Sequence, residues 1–230
     1  MSLPFWVVIP AAGIGSRMQA DRPKQYLPFG KRTLIEQTLD CFLGQPGLRG
    51  LVVCLAVDDP YWPALPCASR DGIYRVPGGR ERADSVRNGL EHLIALGAED
   101  QDWVLVHDAA RPNLSESDLH LLLTELAVDP VGGLLAVPVR DTLKQVGADG
   151  RVQATVDRRQ FWQAFTPQMF RLGPLRQALS DALQAGAEIT DEASAMELAG
   201  WAPRLIEGRA DNIKVTRPED LAWLAGLQCE

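Results

Sequence analysis

The stretch FWVVIPAAGIGSR, residues 5–17, sets the reading of the whole chain. Its first six residues are a nearly continuous apolar run, the pattern of a strand buried on both faces of a parallel sheet. Pro10, Gly13 and Gly15 then turn the run into a glycine loop. In open α/β sheets, ligands bind at such loops, outside the carboxyl ends of the strands. A secretory leader would also be apolar, but here no cation precedes the run and Pro4, Pro10, Gly13 and Gly15 interrupt it, so a mature strand and loop are expected.

Working outward, the same signature recurs in LVVCLAV at 51–57, WVLVH at 103–107 and LLAVPV at 134–139. Helical patterns lie between these runs: Thr33 to Leu43, Asp84 to Leu96 with Val86, Leu90, Leu93 and Ile94 on one face, and Ser115 to Val128. Ser115 to Asp118 fits a helix N-cap. This alternation predicts an α/β fold, a mainly parallel Rossmann-like sheet with right-handed crossovers and helices on both faces. The rhythm breaks after Val139, where the polar alternating segments Thr142 to Val146 and Arg151 to Val156 flank Gly-Ala-Asp-Gly, a hairpin signal. A polar hairpin has too little apolar surface to stand alone and is expected to pack on a partner subunit. The remainder reads as helices at Pro174 to Ala185 and Asp191 to Leu198, short strands at Arg204 to Glu207 and Ile213 to Thr216, and a helix from Pro218 to Leu227. With no repeat or linker, residues 1–230 read as one domain carrying a β-arm at about 139–158.

The 230 residues carry 23 Lys and Arg against 30 Asp and Glu, a net charge of −7 that disfavours nucleic acid as a partner. The charge is unevenly placed. Arg17, Arg22, Lys24, Lys31 and Arg32 face the single acid Asp21 within the first 35 residues, a local +4 that leaves −11 on the remaining 195. Such a segment is either a solvated basic loop or an anion site. No apolar run approaches the roughly 20 residues of a membrane-spanning helix, so no membrane is expected. Cys41, Cys54, Cys67 and Cys229 form no CxxC pair, which argues against zinc or a disulfide framework and for a reducing, cytoplasmic setting.

The glycine loop is neither a Rossmann fingerprint, since Met18 stands where a third Gly or Ala would fall, nor a P-loop, since Gly30-Lys31 is followed by Arg32 and lacks the upstream Gly. Its continuation RMQADRPKQYL adds cations after Arg17, with Pro23 restricting the backbone before Lys24. Backbone N–H groups, Arg17 and Lys24 suit a polyphosphate. Asp108, directly after WVLVH, suits Mg²⁺, which takes one or two carboxylates beside phosphate oxygens; a turn-capping role is the alternative. His107 reads as a packed, hydrogen-bonded residue. Gly78-Gly79 through Ser85 opens a helix whose free N–H groups and Ser85 hydroxyl suit a ribose, base or phosphate, or form a plain N-cap.

In order along the chain, PAAGIGSRM with PKQYLP, GGRERADSV, HDAARP, VPVRDTLK, TVDRRQFWQAFTPQ, TDEASA and EGRADNIKVTRPEDL resemble the 2-C-methyl-D-erythritol 4-phosphate cytidylyltransferase family. The likeness spans nearly the full length. It implies a nucleotidyltransferase-type sheet with a protruding β-arm, and a homodimer formed through that arm. It implies that Ala11, Ala12, Gly13, Gly79, Ser85 and Asp108 line the CTP site, that Asp108 reaches Mg²⁺, and that Arg17 and Lys24 stabilise the transition state. Arg111, Thr142, Arg158, Thr166 and Lys214 fall on the substrate-phosphate side, with Thr142 and Arg158 serving the neighbouring subunit's site. Motif alignment favours Arg158 over Arg159, and Arg80 departs from the acid that some members carry beside the second glycine.

The reaction so implied is in-line attack of a polyol phosphate oxygen on the α-phosphorus of CTP, releasing pyrophosphate and forming 4-diphosphocytidyl-2-C-methyl-D-erythritol for isoprenoid precursor synthesis. A phosphate nucleophile is already ionised at pH 7 and needs no general base. Two alternatives stand: a ribitol 5-phosphate cytidylyltransferase, and a non-catalytic nucleotide-binding regulator.

Overall fold

The computed structural model describes residues 2–13, 15, 18 and 20–227. The opening run forms β1 (Phe5–Pro10), which pairs in parallel with β4 (Leu48–Leu55) on one side and β6 (Trp103–Val106) on the other. Its continuous apolarity has a structural cause. Phe5, Val7 and Ile9 pack into one buried cluster with Ile35, Leu39, Leu119 and Leu122, while Trp6 and Val8 pack into a second with Val86, Leu90, Leu93 and Leu175. With a side-chain period of two, a strand covered on both faces must be apolar at every position. At roughly 25 cal/mol per Å² of apolar surface removed from water, these two layers are the main favourable term in folding.

The helices that supply the layers are α1 (Leu34–Asp40) and α3 (Glu116–Leu126) on the first face, α2 (Arg82–Ala95), α4 (Leu172–Gln184) and α5 (Glu192–Leu198) on the second. Ser115 caps α3 as the sequence suggested, its hydroxyl accepting from the Asp118 N–H at 3.1 Å. Ile94, grouped by periodicity with the buried stripe of α2, is 36% exposed; the stripe is Val86, Leu90 and Leu93. The sheet has seven strands, ordered β11 (Arg204–Glu207), β7 (Gly132–Pro138), β10 (Trp162–Arg171), β6, β1, β4 and β5 (Ile73–Pro77). Six run in one direction and β10 runs against them, antiparallel to both β6 and β7.

The expected α/β class and mainly parallel sheet are thus observed, with β5 and β10 added to the strands the sequence pattern exposes. The expected strand at Ile213 to Thr216 is not formed. That segment crosses over the strand ends, where Val215 N–H donates to the Ala110 carbonyl at 2.8 Å, so it meets no strand edge along which a ladder could extend. The last element among the described residues is α6 (Pro218–Leu227). A two-residue pairing, β2 (Pro28–Phe29) with β3 (Arg32–Thr33), bends the chain back at Gly30-Lys31.

The polar hairpin is present as β8 (Leu143–Val146) and β9 (Val152–Val156), an antiparallel sheet of their own. Two of its apolar residues are not covered: Val146 is 55% and Val152 61% exposed, while Leu143 and Val156 are half-buried.

Candidate active site

The carboxyl ends of β1, β5 and β6 open into a cleft of about 380 Å³ lined by Ala11, Ala12, Gly13, Gly15, Lys24, Gly79, Ser85, Asp108 and Lys214, among others. Of the residues expected at a nucleotide site, Ala11, Ala12, Gly13, Lys24, Gly79, Ser85 and Asp108 therefore line one cleft. Arg17 lies outside the described residues.

Local chemistry holds each of these in place. The loop after β1 is pinned to the sheet by Ala11 N–H donating to the Cys54 carbonyl at 2.8 Å, and by buried Gln25, whose Nε2 donates to the Ala11 carbonyl at 2.7 Å. Gly15 has φ +67°, and a Cβ there would stand 2.8 Å from Lys24 Cγ, so only glycine lets the Lys24 stem lie against the loop. Lys24 begins a short turn after Pro23 and its Nζ donates to the Val215 carbonyl at 3.1 Å. On the opposite wall, a Cβ on Gly79 would meet the Asp84 Cβ at 2.1 Å; glycine allows this turn to close onto the first turn of α2. Ser85 is buried, accepts from Gly79 N–H at 3.0 Å and donates to the Glu81 carbonyl at 3.2 Å.

Asp108 is the electrostatic centre. It is 6% exposed, yet its carboxylate is met by Arg82 Nε at 3.1 Å on Oδ1, and by Arg111 Nε at 3.3 Å and Lys214 Nζ at 3.1 Å on Oδ2. Burial opposes ionisation, but the coulombic pull of Arg82, Lys214 and Arg111 exceeds it and holds the carboxyl far below the usual carboxylate range. The Arg82 guanidinium loses by burial and gains more from Glu192 and Asp108, so its affinity for its proton is raised. Arg111 moves the other way because burial dominates. Its guanidinium lies 4.8 Å over the Phe165 ring and donates to the Asn212 carbonyl at 2.7 Å.

His107 behaves as the sequence suggested: fully buried, it is hydrogen-bonded at both nitrogens, Nε2 to the Arg111 carbonyl and Nδ1 to Thr166 Oγ1, each at 3.0 Å. A carbonyl only accepts, so the ring proton sits on Nε2 and Nδ1 accepts from the Thr166 hydroxyl. Burial pushes its pKa down to about 4. Thr166 Oγ1 in turn accepts from the Asp108 N–H at 3.1 Å, so this pair fixes the Asp108 turn from behind.

A second cleft of about 160 Å³ adjoins the first and shares Arg82, Asp108 and Lys214 with it; Arg111, Thr166, Gln168, Thr190 and Asp191 are among its other lining residues. Arg111, Thr166 and Lys214 are thus gathered where an acceptor phosphate was expected, although the Thr166 hydroxyl proton is directed at His107. Thr142 and Arg158 belong to neither cleft of this chain. Both are exposed, Thr142 at the start of the arm and Arg158 at its end, where Arg158 donates to the Arg140 carbonyl.

The sequence reading passed over Arg82, Gln25 and Thr190. Arg82 sits inside GGRERADSV among other arginines, and only its two acidic partners, 26 and 110 residues away, distinguish it. Gln25 lay within the quoted PKQYLP, where its polarity suggests exposure rather than the buried role it has.

Among the described residues no three His, Cys, Asp or Glu side chains stand together as a metal cage. Asp108 itself fits a hard divalent cation. It is ionised, it lines the cleft, and the three cations occupy three of the roughly four lone-pair positions of a carboxylate, leaving one on Oδ1.

A glycine-lined, cation-rich cleft at the carboxyl ends of parallel strands defines a nucleotide-handling α/β enzyme. Comparison with known proteins narrows the class to nucleotidyltransferases: residues 5–227 match the family described as IspD, 2-C-methyl-D-erythritol 4-phosphate cytidylyltransferase. The chain belongs to this family. It is 70% identical over 224 residues to the 2-C-methyl-D-erythritol 4-phosphate cytidylyltransferase of Ectopseudomonas mendocina, covering 97% of this chain and 95% of that protein. The Pseudomonas aeruginosa PAO1 protein of the same name is 69% identical over 96% of this chain and 94% of its own length. Among solved structures, the Francisella tularensis enzyme superposes with TM-score 0.84 at 36% identity, covering 98% of this chain and 99% of that one. The Thermus thermophilus enzyme does so with TM-score 0.81 at 31% identity, covering both chains fully.

Proposed function

We propose that this chain joins CTP and 2-C-methyl-D-erythritol 4-phosphate to give 4-diphosphocytidyl-2-C-methyl-D-erythritol and pyrophosphate, a step in isoprenoid precursor biosynthesis. The observation that carries the mechanism is the position of Asp108, Arg82 and Lys214 on the wall shared by the two clefts. Two polyanions must meet there, so catalysis is positioning and charge neutralisation, with no covalent intermediate and no general base.

The nucleotide occupies the larger cleft, its phosphates toward the loop after β1 and its cytidine toward Gly79 and Ser85. Lys24 and Arg17 offset charge on the α-phosphoryl group and the leaving pyrophosphate. Arg111 and Lys214 draw the acceptor phosphate into the smaller cleft, and Lys214, 36% exposed, is able to pivot between Asp108 and a phosphate. Asp108 would hold a Mg²⁺ ion bound with the nucleotide, and the ion would supply charge neutralisation at the phosphates. Thr142 and Arg158 complete the acceptor side of a second copy, in a homodimer that covers the exposed arm. The free thiols Cys41, Cys54 and Cys67 accord with a cytoplasmic enzyme.

Pyrophosphate release from CTP, measured with and without Mg²⁺ against methylerythritol, ribitol and glycerol phosphates, tests this function. Magnesium-dependent release with the methylerythritol phosphate alone is expected. Preference for ribitol phosphate would reassign the acceptor, and CTP binding without release under any condition would make the chain a nucleotide-binding regulator.

A further inference from the structure

Glu192 is the first residue of α5 and is fully buried, yet it lines neither cleft. Its carboxylate receives both terminal nitrogens of Arg82, at 2.6 and 3.1 Å, and Nε is the nitrogen of that guanidinium that donates to Asp108. Its neighbours are fastened to the central sheet. Asp191 accepts from Gln168 Nε2 at 2.9 Å, and Ala193 N–H donates to Gln168 Oε1 at 2.8 Å, Gln168 lying on β10. Glu192 is therefore a rigidly mounted anion behind the active-site wall.

We propose that Glu192 is a positioning residue that occupies the fork of Arg82, so that Asp108 receives a single N–H from it and keeps a free lone-pair position facing the cleft. A guanidinium prefers to engage a carboxylate through two parallel N–H bonds. Without Glu192, Asp108 is the anion in reach, and the fork turns onto it. The charge count makes the effect separable from general damage. Arg82, Arg111 and Lys214 against Asp108 and Glu192 leave the cluster at +1, and Glu192→Gln raises it to +2. A polyanionic nucleotide is then held at least as well while turnover falls. This inference rests on the transferase reading, and its test includes a measurement that does not.

In Glu192→Gln, kcat is expected to fall about tenfold to a hundredfold, the usual cost of removing the outer support of a site's ligand, while the dissociation constant for CTP does not rise. Arg82→Lys, which has no fork, tests the route: Glu192→Gln added to Arg82→Lys should cost little further, because both act through one guanidinium. Multiplying losses, or a CTP affinity that weakens in step with kcat, would overturn the proposal. The independent measurement is the Arg82 Nε–H signal in ¹⁵N NMR, assigned by its loss in Arg82→Lys. Its position should shift in Glu192→Gln as the guanidinium turns, and an unchanged signal refutes the proposal even if the wild-type protein shows no transferase activity. A wild type that is inactive with every acceptor overturns the transferase reading alone.

Discussion

Replacing Asp108 by Asn removes the one anion that three cations converge on and leaves its shape. Because Asp108 is 6% exposed and bonded by Arg82, Arg111 and Lys214 at 3.1 to 3.3 Å, little solvent screening reduces the effect. Breaking a buried charge network by deleting one partner costs about 3–5 kcal/mol. For a chain of this size that lowers Tm by roughly 10 °C. The loss carries a pH signature. Asp108 has a folded pKa held far below its ordinary 3.8, so its contribution is fully present above the unfolded pKa and is lost as pH falls toward the folded value. Urea unfolding of wild type and Asp108→Asn should therefore show a constant stability gap from pH 7 to about 5 that narrows below about pH 4, by about 1.4 kcal/mol per pH unit at the limit. A gap below about 1 kcal/mol at pH 7, or one that does not narrow in acid, would refute the idea that the three cations are balanced on this carboxylate.

Lys24→Ala and Arg17→Ala should each lower kcat about 100-fold or more while leaving CTP affinity largely intact; single-turnover rates against CTP titrations separate the two quantities. If Thr142 and Arg158 serve the second copy's site, co-refolding inactive Lys24→Ala and Arg158→Ala subunits in equal amounts should restore about a quarter of wild-type specific activity. That fraction follows because half the dimers are mixed and each carries one intact site; no recovery would place Arg158 on its own subunit's site. For His107, whose folded pKa of about 4 lies below its ordinary 6.5, stability is present above pH 6.5 and lost as pH falls through 4. Wild type should lose about 3 kcal/mol over that window through this group, and the neutral His107→Gln variant should lack that slope in pH-dependent unfolding; parallel slopes would refute the assignment.

The strands read most directly from the sequence, β1, β4, β6 and β7, are buried on both faces, and burial of both faces is what writes itself as an unbroken apolar run. β10 escapes that reading although it is central. Residues 165–170 of it are buried, but two of them, Thr166 and Gln168, are polar and satisfied by partners far along the chain, His107 and Asp191 among them. A local window sees the polarity and not the partners. The same difference divides the site. Ala11, Gly13, Gly79 and Asp108 announce themselves because they sit in glycine turns or at strand ends, whose geometry is local. Arg82 and Glu192 form their bond across 110 residues, and no spacing rule marks either one. The arm was legible as a hairpin, with nothing in the strand pattern to say which cleft its residues face.

The uneven charge takes on a mechanical meaning in the fold. A chain of net −7 repels a nucleoside triphosphate at long range, and cations placed singly on its surface would be screened within about 8 Å at physiological salt. Of the N-terminal cations, Lys24 alone among the described residues reaches the cleft. The rest of the positive wall, Arg80, Arg82 and Lys214, is drawn from segments far along the chain. Arg80 is exposed, but burial makes the half-buried Lys24, Arg82 and Lys214 effective, since in a site of low effective dielectric each acts on a phosphate far more strongly than in water. It would also push such groups toward losing their charge, and Asp108 and Glu192 prevent that at Arg82. The two buried carboxylates therefore do not weaken the anion site. They keep its guanidinium charged and aimed, and the cluster still retains the positive balance that an incoming phosphate requires.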